Sequence, residues 1–492
     1  MASSTYRLLR NGILNLPRPS PACKPLAEKL LQKDAQNFHS LFRSGFHNHL
    51  SHHTLAAYDL GAPPALLQKI FDNEAKTQRT IVIEPKDEEI KITDSNWTSH
   101  LGDQHAYSRF VKFFEERVSS FGVVKTLEQF IFSPEANGEG RTMLARLMSG
   151  IAHPFILVGY GLEFGNDALV ATGLASAAIH NADAPKLYEP LTATSLAPSS
   201  ANLSILEILS LVYTSPTLAP PMPYDPNALF TTRISSALSN GRKEAILDMC
   251  SRFHVPPAIS ETKMQEKIEQ LVWATVLLLF STGREERKPR LDFFLMHLVT
   301  SSIFLKSYIR VLEDPMHRVL IVKAFLPTML LYLISRGRPV IQPHLVMQAT
   351  DKPRPPYGST PPYTSKGTGL GSPLDNNEYN PWPALIEASL YASDSHVLKT
   401  IRTLIFAARE YGDTPSGSVL GAVKREEKPQ KSAEESIPGS SNLDGSIFVR
   451  AAGMLMDYMG WTTCGQTERD DWDRSALGWD DAWKGGDDRN SI

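Results

Sequence analysis

The chain has 492 residues, 42% of them hydrophobic, and a formal net charge of -3. Such a chain can bury a sizeable core, either in one large domain or in two interlocked ones. The nearly balanced charge gives no electrostatic case for nucleic acid as a partner. No uninterrupted apolar run approaches the roughly 20 residues that cross a bilayer, so we expect no membrane association.

Three cysteines lie far apart in the chain and form no Cys-x-x-Cys pair: Cys23, Cys250 and Cys464. Their spacing excludes a zinc knuckle and a dithiol redox motif, and their small number suits a reducing compartment. The N-terminal residues 1–16 contain Arg7 and Arg10 but no acidic residue. We interpret them as the frayed terminus of a cytoplasmic protein, with organelle targeting as the alternative.

Apolar residues recur at helical spacing along most of the chain, as in Phe110, Phe113 and Phe114. Strand-like alternation is confined to Thr80 to Ile92, which predicts a short hairpin or loop. The pattern therefore predicts an all-α fold, a large bundle-like multi-helix domain with long irregular loops.

Two segments rich in Pro, Gly and Ser interrupt the helical pattern and predict a flexible insert at 351–380 and a disordered loop at 412–444. We therefore divide the chain into an N-terminal extension (1–35), a main helical domain (36–411), the disordered loop (412–444), a helix that packs back (445–460) and an acidic, Trp-rich tail (461–492). The tail could dock on the protein or on a partner, or it could be solvated. The sequence leaves the oligomeric state open.

The densest group of histidines runs from His47 to His53. It precedes an apolar stretch that ends at Gly61, which predicts a helix with a glycine stop. On that helix His49 would face His52 and His53 at i+3 and i+4 spacing. Two imidazoles on one helix face can bind one metal ion. The alternative is a polar helix end whose histidines face solvent.

Three further histidines lie in apolar surroundings. His153 is followed by a proline, which predicts a helix start there, and His180 follows the apolar stretch Asp167 to Ala178. His297 lies inside a helix predicted over Leu291 to Leu312. An unpaired buried polar group costs about 1–3 kcal/mol, so a buried imidazole needs partners. Each of these histidines is therefore either a satisfied core residue or a ligand.

The segment from Asp394 to Lys399 predicts the start of another helix. Asp394 or Ser395 can cap a helix that runs to Arg409, and His396 and Lys399 then share an apolar, inward face. A buried ammonium is costly unless it is paired, snorkelling, neutral or modified. The alternative is a surface lysine that reaches solvent.

These places combine into one hypothesis if the helices form a single bundle. Bundle cores bind metals through side chains on facing helices, so His49, His153, His297 and His396 would meet around one ion. Imidazole nitrogens suit iron, copper, zinc or nickel. Neutral imidazoles leave a divalent charge uncompensated, so Lys399, deprotonated or carboxylated by carbon dioxide, would supply the missing donor.

The same residues carry a resemblance to the questin oxidase-like family. Four segments resemble its motifs: His47 to Ala62, His153 to Phe164, Asp292 to Phe304 and Asp394 to Lys399. The resemblance covers about His39 to Tyr411. This chain departs from the family at two places. The insert before the fourth motif leaves the form of the substrate entrance open, and the tail leaves the oligomeric state open.

The resemblance implies an enzyme of fungal secondary metabolism. Members of the family open rings of anthraquinones and related polyketides by a Baeyer–Villiger-like oxidation, often described as NADPH-dependent. The positions that match the family's histidine motifs are His49, His153, His297 and His396, with Lys399.

A flavin cofactor is not expected. A flavin monooxygenase should begin with a strand, Gly-x-Gly-x-x-Gly and a helix. The near match, Gly367 to Gly371, lies in the Pro-rich insert and lacks the full spacing. Since protein side chains cannot do one-electron chemistry with dioxygen, a metal is the natural agent.

We therefore predict an oxidoreductase in which a buried ferrous ion brings dioxygen to an aromatic polyketide ring, with NADPH as the candidate external reductant. Three further histidines are candidates for acid–base roles, since histidine exchanges protons near neutral pH: His52, His53 and His180. Aromatic residues beside the motifs are either walls of the substrate site or ordinary core: Phe46, Tyr160, Phe164, Phe293 and Trp382.

Three other functions stay open. The first is an NADPH-dependent Baeyer–Villiger oxidase without a metal, in which the histidines serve as acids and bases. The second is a non-catalytic protein that binds a polyketide. The third is a metal-dependent hydrolase, which would work without oxygen.

Overall fold

The structure, a computed structural model, is built almost entirely from α-helices, as the sequence predicts. The residues it describes are 6–42, 46–81, 91–192, 202–356, 370–424, 434–469 and 471–484. The helices of the first half are α1 (Cys23–Asn37), α2 (Leu50–Asp59), α3 (Pro64–Ala75), α4 (Tyr107–Leu127), α5 (Pro134–Asn137), α6 (Met143–Met148), α7 (His153–Phe164), α8 (Asp167–Ile179), α9 (Glu189–Thr192), α10 (Ile205–Thr214), α11 (Phe230–Leu238) and α12 (Arg242–Ser251). Those of the second half are α13 (Glu261–Phe280), α14 (Phe293–Ser302), α15 (Phe304–Val311), α16 (Pro315–Ser335), α17 (Pro343–Met347), α18 (Trp382–Leu390), α19 (Ser395–Tyr411) and α20 (Ile447–Met459).

Two very short strands pair in the described part of the chain. β1 (Leu41–Phe42) lies antiparallel to β2 (Phe46–His47), with Leu41 opposite His47. Of the hairpin predicted over 80–92, residues 82–90 lie outside the described residues, and Thr80 forms an isolated bridge to Phe38. The two strands place His47 beside the start of α2.

By its internal contacts the chain divides into two compact units. The first unit comprises 1–202, 230–268 and 300–331, and the second comprises 203–229, 269–299 and 332–492. Each unit is thus assembled from three separate stretches of sequence.

The centre of the first unit is the pair α7 and α8. Every residue of α7 is buried, as are residues 168–179 of α8, and α4 and α15 pack against this pair. Gly161 lets α7 and α8 approach each other closely, because a Cβ at this position would lie 2.8 Å from the backbone nitrogen of Val170. Between the helices, Gly165 adopts a left-handed φ of 62° and the side chain of Asn166 caps α8.

The N-terminal segment 6–18 is packed onto the first unit, so the frayed terminus expected from the sequence is wrong for these residues. The Asp59 carboxylate accepts hydrogen bonds from the backbone N–H groups of Asn15 at 2.7 Å and Leu14 at 3.1 Å. Glu163 accepts one from Ile13 at 2.7 Å. Both carboxylates are buried, so the segment supplies donors that they need in the interior.

The helix expected over 291–312 is divided in two. Asp292 accepts hydrogen bonds from the backbone N–H groups of Phe294 and Leu295 at 2.8 and 3.1 Å, which starts α14 at Phe293. The helix stops at Ser302, and α15 begins at Phe304. His297 therefore belongs to a helix of ten residues.

The second unit includes the helices α18, α19 and α20, which pack on one another. The described part of the tail, 461–469 and 471–484, packs on this unit, which is the first of the three arrangements that the sequence left open. The side chains of Trp461, Trp472, Trp479 and Trp483 are buried, and Tyr458 donates a hydrogen bond to the Asp471 carbonyl at 2.7 Å. The indole of Trp479 donates to the Met222 carbonyl at 3.0 Å.

The disorder expected over 412–444 is wrong for the described residues 412–424 and 434–444. Val419, Ala422, Ile437 and Leu443 are buried, and the backbone N–H of Ser436 donates to the Ala422 carbonyl at 3.0 Å. These apolar side chains pack the segment into the second unit. Residues 425–433 lie outside the described part.

Among the described residues, one helix, α16, is long and apolar enough to cross a membrane by length and composition alone. Its 21 residues include Arg318 and Lys323, which is why an uninterrupted apolar run is not visible in the sequence. Because 83% of its apolar window is buried inside the protein, these side chains face the core.

We expect Asp59→Asn to lower the free energy of unfolding by about 1–3 kcal/mol, because an amide would turn a donor toward the N–H groups of Leu14 and Asn15. Urea unfolding would measure the change. Asp72→Asn, at an exposed carboxylate of α3, is the matched control and should leave stability nearly unchanged. Equal stability of the two variants would contradict the importance of the packed N-terminal segment.

Candidate metal centre

A pair of histidines meets in the first unit. His49 lies at the N-terminal cap of α2, and its Nε2 atom is 2.9 Å from Nε2 of His153 at the start of α7. The packing of α2 on α7 brings them together across more than a hundred residues of sequence. Both ring nitrogens lie where two ligands of one metal ion could lie.

The tautomer of His153 is set by the backbone. Its Nδ1 atom lies 2.6 Å from the Gly150 carbonyl oxygen, so Nδ1–H donates and the neutral ring carries its lone pair on Nε2. That is the atom that faces His49. A histidine held in this way is arranged as metal-ligating histidines usually are.

The turn before His153 is strained. Gly150, Ile151 and Ala152 all adopt left-handed φ values, of 57°, 56° and 60°. This conformation is rare for a β-branched residue such as Ile151 and is found mainly where the surrounding structure enforces it. The turn is anchored by a hydrogen bond of 2.9 Å from the Gly150 N–H to Asp183. It places the Gly150 carbonyl at the His153 ring.

Two more histidines stack beside this pair. The His47 ring lies parallel to that of His153 with centroids 3.8 Å apart, and its Nε2 is 2.6 Å from Nε2 of His180. Burial, together with the charge of Arg146, lowers the pKa of His180 to about 4, so its ring is neutral at physiological pH. His180 was predicted as an acid–base candidate, whereas His47 was not. Its position depends on the β1–β2 pairing, which the sequence does not reveal.

The remaining two acid–base candidates separate. His52 stays near the pair, with its ring centroid 5.8 Å from that of His49 and 5.5 Å from that of Tyr160. His53 turns toward α3, where its Nδ1 atom lies 3.0 Å from the Glu74 carboxylate. Both rings are buried, which is contrary to the alternative of solvent-facing histidines.

A second pair of histidines meets in the second unit. The ring centroids of His297, on α14, and His396, on α19, are 5.0 Å apart. The His297 Nδ1 atom lies 2.7 Å from the Phe293 carbonyl oxygen, one helical turn back. The His396 Nδ1 atom lies 2.7 Å from Oδ1 of Asp394, the residue that caps α19. In each ring Nδ1–H donates to an oxygen, which leaves Nε2 as the lone-pair nitrogen.

Lys399 is only 4% exposed, which is contrary to the alternative of a surface lysine reaching solvent. It lies one turn after His396 on α19. Burial alone would raise the pKa of Asp394, but His396 and Lys399 outweigh burial and hold that pKa well below its ordinary value. Asp394 therefore remains a carboxylate beside the second pair.

The aromatic candidates for substrate contact lie in different surroundings. In the first unit Tyr160 and Phe164 are core residues, with the Tyr160 ring 4.6 Å from that of Phe304. Phe46 is 50% exposed and packs beside Phe42.

In the second unit Phe293 contacts both histidines, with centroid distances of 4.7 Å to His297 and 5.3 Å to His396. The Arg474 guanidinium covers this ring at 4.2 Å. Trp382 begins α18 and is half-buried. Phe293 is therefore the predicted aromatic residue that lies directly against candidate ligands in its unit.

A small cavity of about 20 Å³ with a mixed polar and apolar lining borders His153 of the first pair. That is room for about one water molecule. Its lining includes His47, His52 and His153, and also Asp34, which the sequence did not single out. The Asp34 carboxylate accepts hydrogen bonds of 2.6 Å from Asn48 and 2.5 Å from Ser51. These bonds fix the two ends of the short segment that carries His49.

Comparison with known proteins identifies the chain's relatives. The family model described as Questin oxidase-like matches residues 46–404. A Baeyer-Villiger oxidase, GME11358, of Pestalotiopsis microspora is 29% identical over 57% of this chain and 63% of that protein. Oxidoreductase AflY of Aspergillus parasiticus is 30% identical over 58% of this chain and 57% of that one, and Questin oxidase of Aspergillus fumigatus is 28% identical over 56% and 62%. The chain thus spans about three fifths of the length of these curated relatives.

We expect Asp34 to make stability depend on pH. Burial, opposed by the hydrogen bonds from Ser51 and Asn48, raises the pKa of Asp34 to about 6 from an ordinary value near 3.8. A raised pKa favours the protonated form in the fold, so the contribution is full below about pH 4 and is lost as the pH rises through about 6. The unfolding free energy of the wild type, minus that of Asp34→Asn, should therefore fall across this window in urea titrations.

Other groups titrate in the same window, but they are common to both proteins and cancel in the difference. Asp72→Asn should give a flat difference curve, since that carboxylate is exposed. A flat curve for Asp34→Asn as well would show that burial does not perturb Asp34.

Proposed function

Because the chain belongs to the questin oxidase-like family, we propose that it is an oxidoreductase that opens a ring of an aromatic polyketide with dioxygen, at a metal ion bound by histidines. Relatives named Baeyer-Villiger oxidase and Questin oxidase support the class of reaction. Support for a metal comes from the chain itself.

The observation that carries the metal proposal is a shared pattern of hydrogen bonds. His153, His297 and His396 each direct Nδ1 at an oxygen acceptor, with distances of 2.6, 2.7 and 2.7 Å. Purely structural histidines have no need to agree in tautomer, whereas metal ligands held through Nε2 do. Buried imidazoles with fixed tautomers are suited to iron, copper, zinc or nickel.

We propose, as the sequence predicts, that His49, His153, His297 and His396 bind the same ion. Lys399 is the candidate fifth ligand, as an amine or as a carbamate, because its side chain is buried on the same helix as His396. The Asp394 carboxylate would offset part of the ion's charge through His396. We assign ferrous iron, which when bound supplies the one-electron chemistry with dioxygen that side chains lack.

The histidines beside the first pair can manage protons. The Nε2 atoms of His47 and His180 are 2.6 Å apart, so one proton can lie between them. The lowered pKa of His180 keeps that ring neutral, so the pair can relay a proton but does not store one as a cation. We propose that this pair, rather than His53, takes and returns protons during turnover.

The first test is metal content. Protein reconstituted with ferrous iron under anaerobic conditions should hold about one iron per chain by mass spectrometry of the metal. His153→Ala and His297→Ala should each lose it, with occupancy reduced at least about tenfold, since removing a ligand usually costs that much or more. His317→Ala and His344→Ala, in the first and second units, are matched controls because both rings lie partly exposed beside glutamates.

The outcomes separate the rival functions. Two ions per chain, each lost in only one variant, would contradict a shared ion. Full activity with NADPH and no bound metal would favour the metal-free Baeyer–Villiger oxidase. Turnover without oxygen would favour a hydrolase, and binding of a polyketide without any turnover would favour a non-catalytic protein.

Asp394→Asn tests the charge next to His396. The asparagine oxygen can still accept from Nδ1 but carries no negative charge, so we expect iron affinity to fall about 10- to 100-fold with little loss of stability. Competition with a chelator would measure the affinity. Asp413→Asn, at an exposed carboxylate of the same unit, should not change it, and equal affinities for the two variants would contradict the role of Asp394.

A further inference from the structure

The start of α2 has an unusual residue at its N-cap position. His49 occupies that position, and within the described part of the chain its side chain makes no hydrogen bond to the first turn of the helix. Serine, threonine, aspartate and asparagine are preferred there, because their side-chain oxygens accept from the unpaired N–H groups of that turn. The His49 ring instead directs Nε2 at His153, 2.9 Å away. The first N–H groups of α2 therefore need acceptors from other residues.

The residue before His49 supplies the cap. The Asn48 Oδ1 atom accepts from the backbone N–H of Leu50 at 2.9 Å. An asparagine can make this bond only when its amide is turned with the oxygen toward the helix and the nitrogen away from it. The Asn48 amide nitrogen donates to Oδ1 of Asp34, on α1, at 2.6 Å, which fixes that orientation.

The Asp34 carboxylate also holds the other side of His49. Its Oδ2 atom accepts from the Ser51 hydroxyl at 2.5 Å, and the Ser51 backbone N–H stabilises the charged form of the same carboxylate. A negative charge beside the first turn of a helix is further favoured by the helix dipole. One buried carboxylate thus fixes the residue before His49 and the residue two places after it.

We propose that Asp34 is a positioning residue for His49. By holding Asn48 and Ser51 it lets these residues complete the start of α2, so the His49 imidazole is released from capping and can present Nε2 toward His153. The proposal rests on the proposed function, which it deepens by assigning the support of one metal ligand.

The support comes from outside the part of the chain that the family model matches. That match begins at residue 46, whereas Asp34 lies on α1, in the segment that the sequence analysis set apart as an N-terminal extension. Residues 1–35 therefore include a group on which the geometry of the site depends.

The opposite end of α2 provides a matched control. The Asp59 carboxylate, at the last residue of the helix, is also buried and accepts from the backbone N–H groups of Leu14 and Asn15. Asp59→Asn should therefore destabilise the same helix without changing the bonds beside His49. A general loss of stability can thus be distinguished from a loss of position.

The affinity of the full-length protein for cobalt(II) tests the proposal, since imidazole nitrogens suit this ion and its visible absorption reports its ligands. At about pH 8, above the raised pKa of Asp34 of about 6, Asp34 is a carboxylate. We expect Asp34→Ala to weaken binding about tenfold and Asp34→Asn about threefold, because the amide oxygen of asparagine can still accept one bond. Asp59→Asn should melt at a lower temperature but bind cobalt as the wild type does.

A double-mutant cycle shows whether Asp34 acts through His49. In a His49→Ala background, Asp34→Ala should cause little further loss of cobalt affinity, because the ring that it positions is absent. Equal losses in both backgrounds would overturn the proposal. If Asp34→Ala does not fold, Ser51→Ala serves in its place, since it keeps the carboxylate and removes one of its bonds, and the same comparison applies.

The metal-free protein offers a second readout. Nitrogen-15 NMR of labelled histidines, with His49 assigned by its loss in His49→Ala, reports which ring nitrogen carries the proton. We expect one ring state for His49 in the wild type and in Asp59→Asn, and a changed or broadened signal in Asp34→Ala.

The failures of the two proposals are distinguishable. A wild type that binds cobalt, with unchanged affinity and an unchanged His49 signal in folded Asp34→Ala, would overturn the role of Asp34 and leave the proposed function standing. A wild type that binds neither iron nor cobalt would overturn the proposed function. A His49 signal altered by Asp34→Ala and not by Asp59→Asn would still support the positioning of that ring.

Discussion

The candidate site depends on hydrogen bonds that fix which nitrogen of each imidazole carries the proton. A carbonyl oxygen holds His153, another holds His297, and a carboxylate holds His396, in each case through Nδ1. Without these acceptors a neutral ring could carry its proton on either nitrogen, and the lone pair would have no set direction. The local backbone and side chains around each of these histidines thus leave Nε2 as the lone-pair nitrogen.

The oxygen atom that accepts from Nδ1 is provided in a different way at each of the three histidines. The left-handed turn at Gly150 to Ala152 turns a carbonyl back on the next helix, at a cost in backbone strain. His297 uses the carbonyl of the preceding helical turn, which is available in any helix. His396 uses the side chain that also caps its helix. The strained turn is only partly buried at Gly150 and Ile151, and the hydrogen bond from the Gly150 N–H to Asp183 helps to hold it in place.

Much of the local structure was predictable because it depends on nearby residues. The helix that begins at His153, the cap at Asp394 and the glycine stop after α2 follow from proline, aspartate and glycine at the expected positions. The features that the sequence analysis mispredicted or missed depend on contacts between residues that are far apart in the chain. Residues 6–18 resemble a free terminus in the sequence, but their N–H groups donate to the buried carboxylates of Asp59 and Glu163. Asp34 is placed near the histidines by burial, and His47 by strand pairing. The sequence around a single polar residue does not show which distant residue it will contact.

The interleaving of the two units has a consequence for synthesis on the ribosome. The first unit needs residues 300–331, and the second begins at residue 203 and ends with the chain. Neither unit is complete when the nascent chain reaches the middle of its length, so the usual order in which an N-terminal domain folds before the next is made does not apply. Residues 6–18 are made long before Glu163, which accepts from Ile13, and α14 is made long before Asp473, whose carbonyl accepts the first N–H of that helix. Part of the apolar surface of each unit therefore stays uncovered until its last segment has been made.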